Sequence, residues 1–141
     1  MKRGFTLVEI MIVIAIIALL AAIAIPNLLR ARVSANESTA QATLRTISTA
    51  LETYAAANRG LYAPADGMTS DNYLRTPTPP YLSKAYCAQT ESAYSYGCTI
   101  DKNDYTIIAR PTNCTTAGTK SFTITAGGVL VTDTTCTAAG G

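Results

Sequence analysis

Glu9 and four cysteines are the residues on which chemistry could rest. From Phe5 to Leu29 only Thr6, Glu9, Pro26 and Asn27 interrupt an apolar run, and Ile10 to Ile25 are 16 apolar residues without a break. A carboxylate inside a bilayer costs about 2.5–3.5 kcal/mol on insertion scales, so it calls for a partner or a role. The alternative is that Glu9 lies near the membrane surface, where no partner is needed. Cys87, Cys98, Cys114 and Cys136 all fall in the C-terminal part. An even number confined to a small exported domain reads as disulfides in an oxidising compartment. Zinc is the competing use, but no close C-x₂₋₄-C pair occurs and the chain has no histidine.

Little else is reactive. There is no nucleophile–base pair, no phosphate-binding glycine loop and no metal-ligand cluster, and the commonest general base is missing. No enzymatic activity and no cofactor are expected. Asp101, Asn103 and Asp104 could offer oxygens to calcium, yet they lack the spaced ligands and glycine of an EF-hand loop. Asn36-Glu-Ser38 and Asn113-Cys-Thr115 fit the N-glycosylation pattern, as chance triplets do in a Ser/Thr-rich chain.

The elements that must position these residues begin with the apolar run. A helix over residues 5–29 would measure about 37 Å, enough to cross a hydrocarbon core of about 30 Å with some tilt. An ordinary secretory signal ends in a small-residue cleavage site and loses its apolar part. Here the small residue comes first: a cut after Gly4 would discard Lys2 and Arg3 and keep the apolar segment. Arg30 and Arg32 beyond the run match Lys2 and Arg3 before it, so charge alone does not orient the span.

The stretch Arg3-Gly-Phe-Thr-Leu-Val-Glu9, with Pro26 near the end of the run, resembles the prepilin signal shared by type IV pilins and the pseudopilins of type II secretion. The resemblance implies cleavage between Gly4 and Phe5 and N-methylation of Phe5 by a prepilin peptidase/methylase. It implies pairing of that amine with Glu9 of a neighbouring subunit, and a joint at Pro26 that unwinds on assembly. It also implies a precursor in the bacterial inner membrane with its leader in the cytoplasm. An assembly platform there would add identical subunits to a helical homopolymer, extracellular for a pilus and periplasmic for a pseudopilus.

Beyond Pro26, Leu29, Val33, Ala40, Leu44, Ile47, Leu51 and Tyr54 form one stripe of an amphipathic helix, with Arg30, Arg32, Glu37, Arg45 and Glu52 off it and Gly60 as its stop. The stripe spans only about three heptads, so packing on its own domain is preferred over a coiled coil. Pro77, Pro79 and Pro80 exclude a regular helix or central strand nearby, and residues 61–104 read as a surface loop pinned by tyrosines. Strands are predicted at Tyr105–Arg110, Lys120–Thr125 and Val129–Thr132, with a hairpin turn at Ala126-Gly127-Gly128.

The expected fold is α+β, a pilin-like ladle: a long N-terminal helix, half transmembrane and half amphipathic, packed on a small antiparallel sheet. Its parts are a leader at 1–4, a transmembrane and assembly helix at 5–29, an amphipathic stem at 30–60 and a C-terminal domain at 61–141. That domain comprises the αβ-loop 61–104, the sheet 105–132 and a disulfide-closed tail 133–141. In a three-strand meander the ends of the first and third strands lie at one edge, which pairs Cys114 with Cys136 and leaves Cys87 for Cys98.

Formal charge is +2, and without residues 1–4 nine basic side chains balance nine acidic ones. No basic footprint for nucleic acid is visible, and none is expected as a partner. The leading function is a structural pilus subunit whose partners are its own copies, the processing enzyme, the assembly platform and the bilayer. Alternatives are a major pseudopilin, a minor pilin with an adhesive or DNA-uptake role, and an ordinary single-span anchored domain.

Overall fold

The structure, a computed structural model, describes residues 4–62 and 71–139. Met1, Lys2 and Arg3 of the expected leader, positions 63–70 of the expected loop and the last two glycines lie outside the described residues. Two compact units divide the chain, Met1–Arg32 and Val33–Gly141.

One helix, α1, spans Leu7–Ala57. It begins after Thr6: the Thr6 hydroxyl oxygen accepts the Glu9 N–H at 3.2 Å, and the Thr6 carbonyl accepts the Ile10 N–H at 3.4 Å. Pro26 lies inside the helix, and having no N–H it leaves the carbonyl of Ala22 without its usual partner. Among the described residues of the first unit no large apolar side chain is buried; Leu7, Ile16, Leu20, Ile25 and Leu28 are all more than half exposed.

In the second unit the stripe turns inward from Ala40, through Leu44, Ile47, Leu51 and Ala55. The helix stops at Ala57, three residues before the expected end at Gly60. Arg59 and Gly60 both take positive φ, 59° and 83°, and the Gly60 N–H returns to the Ala55 carbonyl at 2.8 Å. The left-handed exit therefore starts on an arginine, and the glycine follows it.

The sheet has five strands where three were expected, in the order β1-β2-β3-β4-β5 and antiparallel throughout. They are β1 Thr90–Glu91, β2 Tyr94–Ile100, β3 Tyr105–Pro111, β4 Ser121–Thr125 and β5 Val129–Asp133. The reading of 61–104 as loop thus fails for β1 and β2. In β2, Tyr94, Tyr96 and Ile100 are buried between Ser95, Gly97 and Thr99. That is alternation on one covered face, hidden in a composition of Tyr, Ser and Gly that resembles a loop. Ahead of it, a 3₁₀ turn at Asp71–Leu74 and the segment around the three prolines are irregular as expected.

The inner face of the sheet, with Tyr94, Tyr96, Tyr105, Ile107, Phe122 and Ile124, meets Leu44, Ile47 and Leu51 of α1 in one core. Each fully buried Leu, Ile or Phe contributes about 1.5–3 kcal/mol relative to exposure. Tyr54 closes the core toward the connection by edge contacts with Tyr73 and Tyr81, at 5.0 and 5.7 Å.

Candidate assembly segment and the polar junctions behind it

At the N-terminus, Gly4, Phe5 and Thr6 precede the helix, so the Gly4–Phe5 bond lies in non-helical, exposed chain. Phe5 is 81% exposed. Thr6 and Glu9 stand as a helix N-cap and the residue three beyond it, the Ser/Thr-x-x-Glu spacing of a capping box. The bond shown is from the backbone N–H of Glu9 to the Thr6 hydroxyl, and its spacing, Thr6-Leu-Val-Glu9, was present in the sequence. A carboxylate in the first turn also complements the positive end of the helix.

From Leu7 to Leu29 the helix is apolar on every side and its large side chains are bare. It is the one helix among the described residues long and apolar enough to cross a membrane. Such a surface is stable only against lipid or against other apolar helices.

In the second unit, two disulfides join Cys87 to Cys98 and Cys114 to Cys136, with Cα atoms 5.5 and 5.8 Å apart. Because β4 lies between them, β3 and β5 run the same way and end at one edge, next to Cys114 and Cys136. Cys98 stands within β2, so its disulfide clamps the incoming connection to a strand. Asp101, Asn103 and Asp104 form the β2–β3 turn, where the Asp101 N–H meets the Asp104 carbonyl at 2.8 Å and the Asp104 carboxylate accepts the Tyr105 N–H at 2.8 Å. No group of three metal-binding side chains occurs among the described residues.

Two carboxylates of α1, read from the sequence as lying off the buried stripe, fasten the sheet instead. Glu52 accepts from the phenols of Tyr62 and Tyr105, at 3.0 and 3.1 Å, and from the Gly127 N–H at 2.9 Å. One side chain therefore holds the start of the connection, the start of β3 and the β4–β5 turn. Ser48 adds a bond of 2.8 Å to the Tyr105 phenol. Burial, with Glu52 beside it, pushes the Tyr105 phenol up to about 12. Burial first, and then Glu52, also raises Tyr62.

Twenty ångströms of helix nearer the anchor, by the usual rise per residue, is about the separation of residues 37 and 52. There Glu37 accepts both the N–H and the hydroxyl of Thr119, at 2.8 and 2.7 Å, while the Asn36 amide donates to the Ala117 carbonyl at 2.9 Å. The side chain of Asn36, an acceptor in one glycosylation triplet, is thus engaged in the fold. No sequence signal marks these pairs, since their members lie 82 and 81 residues apart.

Residues 1–25 match the family model for the prokaryotic N-terminal methylation motif. The chain is 48% identical over 53 residues to a type IV major pilin protein, PilA, of Myxococcus xanthus, covering 38% of this chain and 24% of the relative. It is 62% identical over 42 residues to the type IV wide pilus major component PilA4 of Thermus thermophilus, covering 30% and 32%. It is 34% identical over 85 residues to the type II secretion system core protein G of Escherichia coli, covering 60% and 57%. The chain thus spans from about a quarter to somewhat over half of the lengths of these relatives. No solved structure matches it significantly.

Proposed function

We propose that this chain, which carries a prokaryotic N-terminal methylation motif and is similar to type IV major pilins, is a structural filament subunit with no catalytic role. The observation that carries the reading is the bare apolar helix Leu7–Leu29, opened by a carboxylate at Glu9 and preceded by an exposed, non-helical Gly4–Phe5 bond. A soluble domain cannot expose such a helix, whereas a membrane precursor that passes into a polymer needs both states. In the precursor the helix lies in the inner membrane. A prepilin peptidase/methylase cuts after Gly4 and methylates the amine of Phe5, and the assembly platform moves the subunit into the filament.

In the filament, the amine of one subunit meets Glu9 of another. An unpaired charge among packed apolar helices is expensive, so the pair selects register as well as partner. The globular unit, braced by its disulfides and by Glu37 and Glu52, faces outward. Immunogold electron microscopy of cells producing the chain tests this: the expected result is label along fibres that leave the cell surface.

A second reading, a type II secretion pseudopilin, is favoured by one observation. The similarity to core protein G runs over 60% of the chain, beyond the anchor, whereas the pilin matches cover 53 and 42 residues. Label confined to the periplasm would select it.

A further inference from the structure

We propose that Arg30 and Arg32 form a collar that holds the phosphates of anionic phospholipid headgroups at the outer end of the apolar helix. The proposal rests on the membrane-precursor reading above and assigns that state a specific lipid contact. The 23 helical residues from Leu7 to Leu29 rise about 34 Å, against a hydrocarbon core of about 30 Å. The next side chains outward are the two arginines, whose guanidinium groups extend to headgroup level while their stems stay along the helix.

Their placement favours lipid over protein. At about 100° per residue, positions two apart face nearly opposite sides of a helix. A protein contact covers one side, whereas headgroups surround the helix and reach both. On the side of Arg32, Ile25, Leu28, Leu29 and Arg32 line a chiefly apolar hollow of about 210 Å³. That is the chemistry of an acyl chain ending in a phosphate. Arginine presents a planar fork of donors to phosphate, stronger than a neutral contact. Neither arginine has a hydrogen-bond or ion-pair partner among the described residues. If Lys2 and Arg3 leave with the leader, these two are the basic side chains that remain beside the span.

The test is native mass spectrometry of the full chain in detergent micelles, titrated with phosphatidylglycerol and, separately, with phosphatidylcholine of the same acyl chains. Two arginines near a surface, at about 1 kcal/mol each, predict retention of phosphatidylglycerol roughly thirtyfold tighter. R30Q/R32Q should abolish the preference, R30K/R32K should keep part of it, and R45Q, farther along the helix, should leave it intact. Equal retention of the two lipids overturns the proposal. So does a preference that survives R30Q/R32Q or is lost equally in R45Q, or displacement of the lipid by inorganic phosphate at the same concentration. Helical circular dichroism of R30Q/R32Q confirms that the variant is folded. Alkaline washing of vesicles carrying the chain reports the membrane reading separately: a chain that washes off overturns both, and one that stays without lipid preference overturns the collar alone.

Discussion

A single oxygen of Glu52 accepts both the Tyr105 phenol, at 3.1 Å, and the Gly127 N–H, at 2.9 Å, tying two parts of the sheet to one point on the helix. The other oxygen accepts Tyr62. Truncating the acceptor removes three bonds to a carboxylate: the Tyr105 phenol keeps Ser48, while the half-buried Tyr62 phenol and the exposed Gly127 N–H turn to water, and a hydrogen bond to a charged group contributes about 1.5–3 kcal/mol. We therefore expect Glu52→Ala to destabilise the globular unit by about 2–4 kcal/mol, and Glu52→Gln, which keeps an acceptor, by about half as much. Chemical denaturation monitored by tyrosine fluorescence checks this, and equal effects would show that the carbonyl contacts carry nothing.

Two buried phenols, one of them at this junction, fix a pH dependence. Tyr105 and Tyr94 titrate at about 12 in the folded chain, both chiefly because burial disfavours the phenolate. Ordinary phenols in the unfolded chain titrate near 10. The folded state thus holds its protons longer, and the stability from this source is complete below about pH 10 and lost as pH rises through about 12. Denaturation midpoints should be flat to pH 10 and then fall. Tyr105→Phe should remove part of that slope, and an unchanged slope would assign the loss to other groups.

Gly118 is held small by Tyr94. A methyl group built on Gly118 would lie 2.0 Å from the Tyr94 phenol oxygen, which donates to the Lys120 carbonyl at 2.8 Å. Gly118→Ala must displace that ring from the core, and overpacking of this kind costs about 1–3 kcal/mol. Tyr94→Phe in the Gly118→Ala background should recover part of the loss. If Gly118→Ala melts with the parent, the loop yields and the ring does not.

The disulfide between Cys114 and Cys136 spans a sequence separation of 22, and the one between Cys87 and Cys98 spans 11. In the chain-entropy model each closure stabilises by about 3 kcal/mol, the longer loop slightly more. Replacing Cys114 and Cys136 by serine should lower stability by about that amount and release the tail, whose Ala139 N–H meets the Pro111 carbonyl at 2.9 Å. Hydrogen exchange at Ala139 reads the release directly, and protection equal to the parent would show that the tail is held by other contacts.

For Glu9, the capping arrangement with Thr6 separates two roles that one substitution would merge. Glu9→Gln keeps a side chain able to complete the cap but removes the charge, whereas Glu9→Ala removes both. If the charge pairs with the Phe5 amine of a neighbour, both variants should insert and fold yet assemble poorly, by an order of magnitude in filament yield. Filaments of Glu9→Gln as abundant as the parent's would leave Glu9 only its local task at the helix start.

Features that are periodic or local were legible before any fold was known. A bare apolar run has only lipid or like helices as stable surroundings, so the anchor was legible at Ile10–Ile25 without any fold. The amphipathic stripe named Leu44, Ile47 and Leu51 as core, and all three are fully buried. Even the cysteine partners followed from direction alone: adding β1 and β2 on the far side of β3 leaves β3 and β5 running the same way, so the three-strand argument survived its wrong strand count. Features that depend on contacts across the chain emerged only with the fold. Tyr94 and Tyr96 became core residues only because a helix covered that face of the sheet. Glu52 was solvent-facing by its helical angle and became a junction because Tyr62, Tyr105 and Gly127, 10, 53 and 75 residues away, were brought to it. Hydrophobic periodicity reports which side of an element is covered, but the pairing of polar groups depends on where the other elements end.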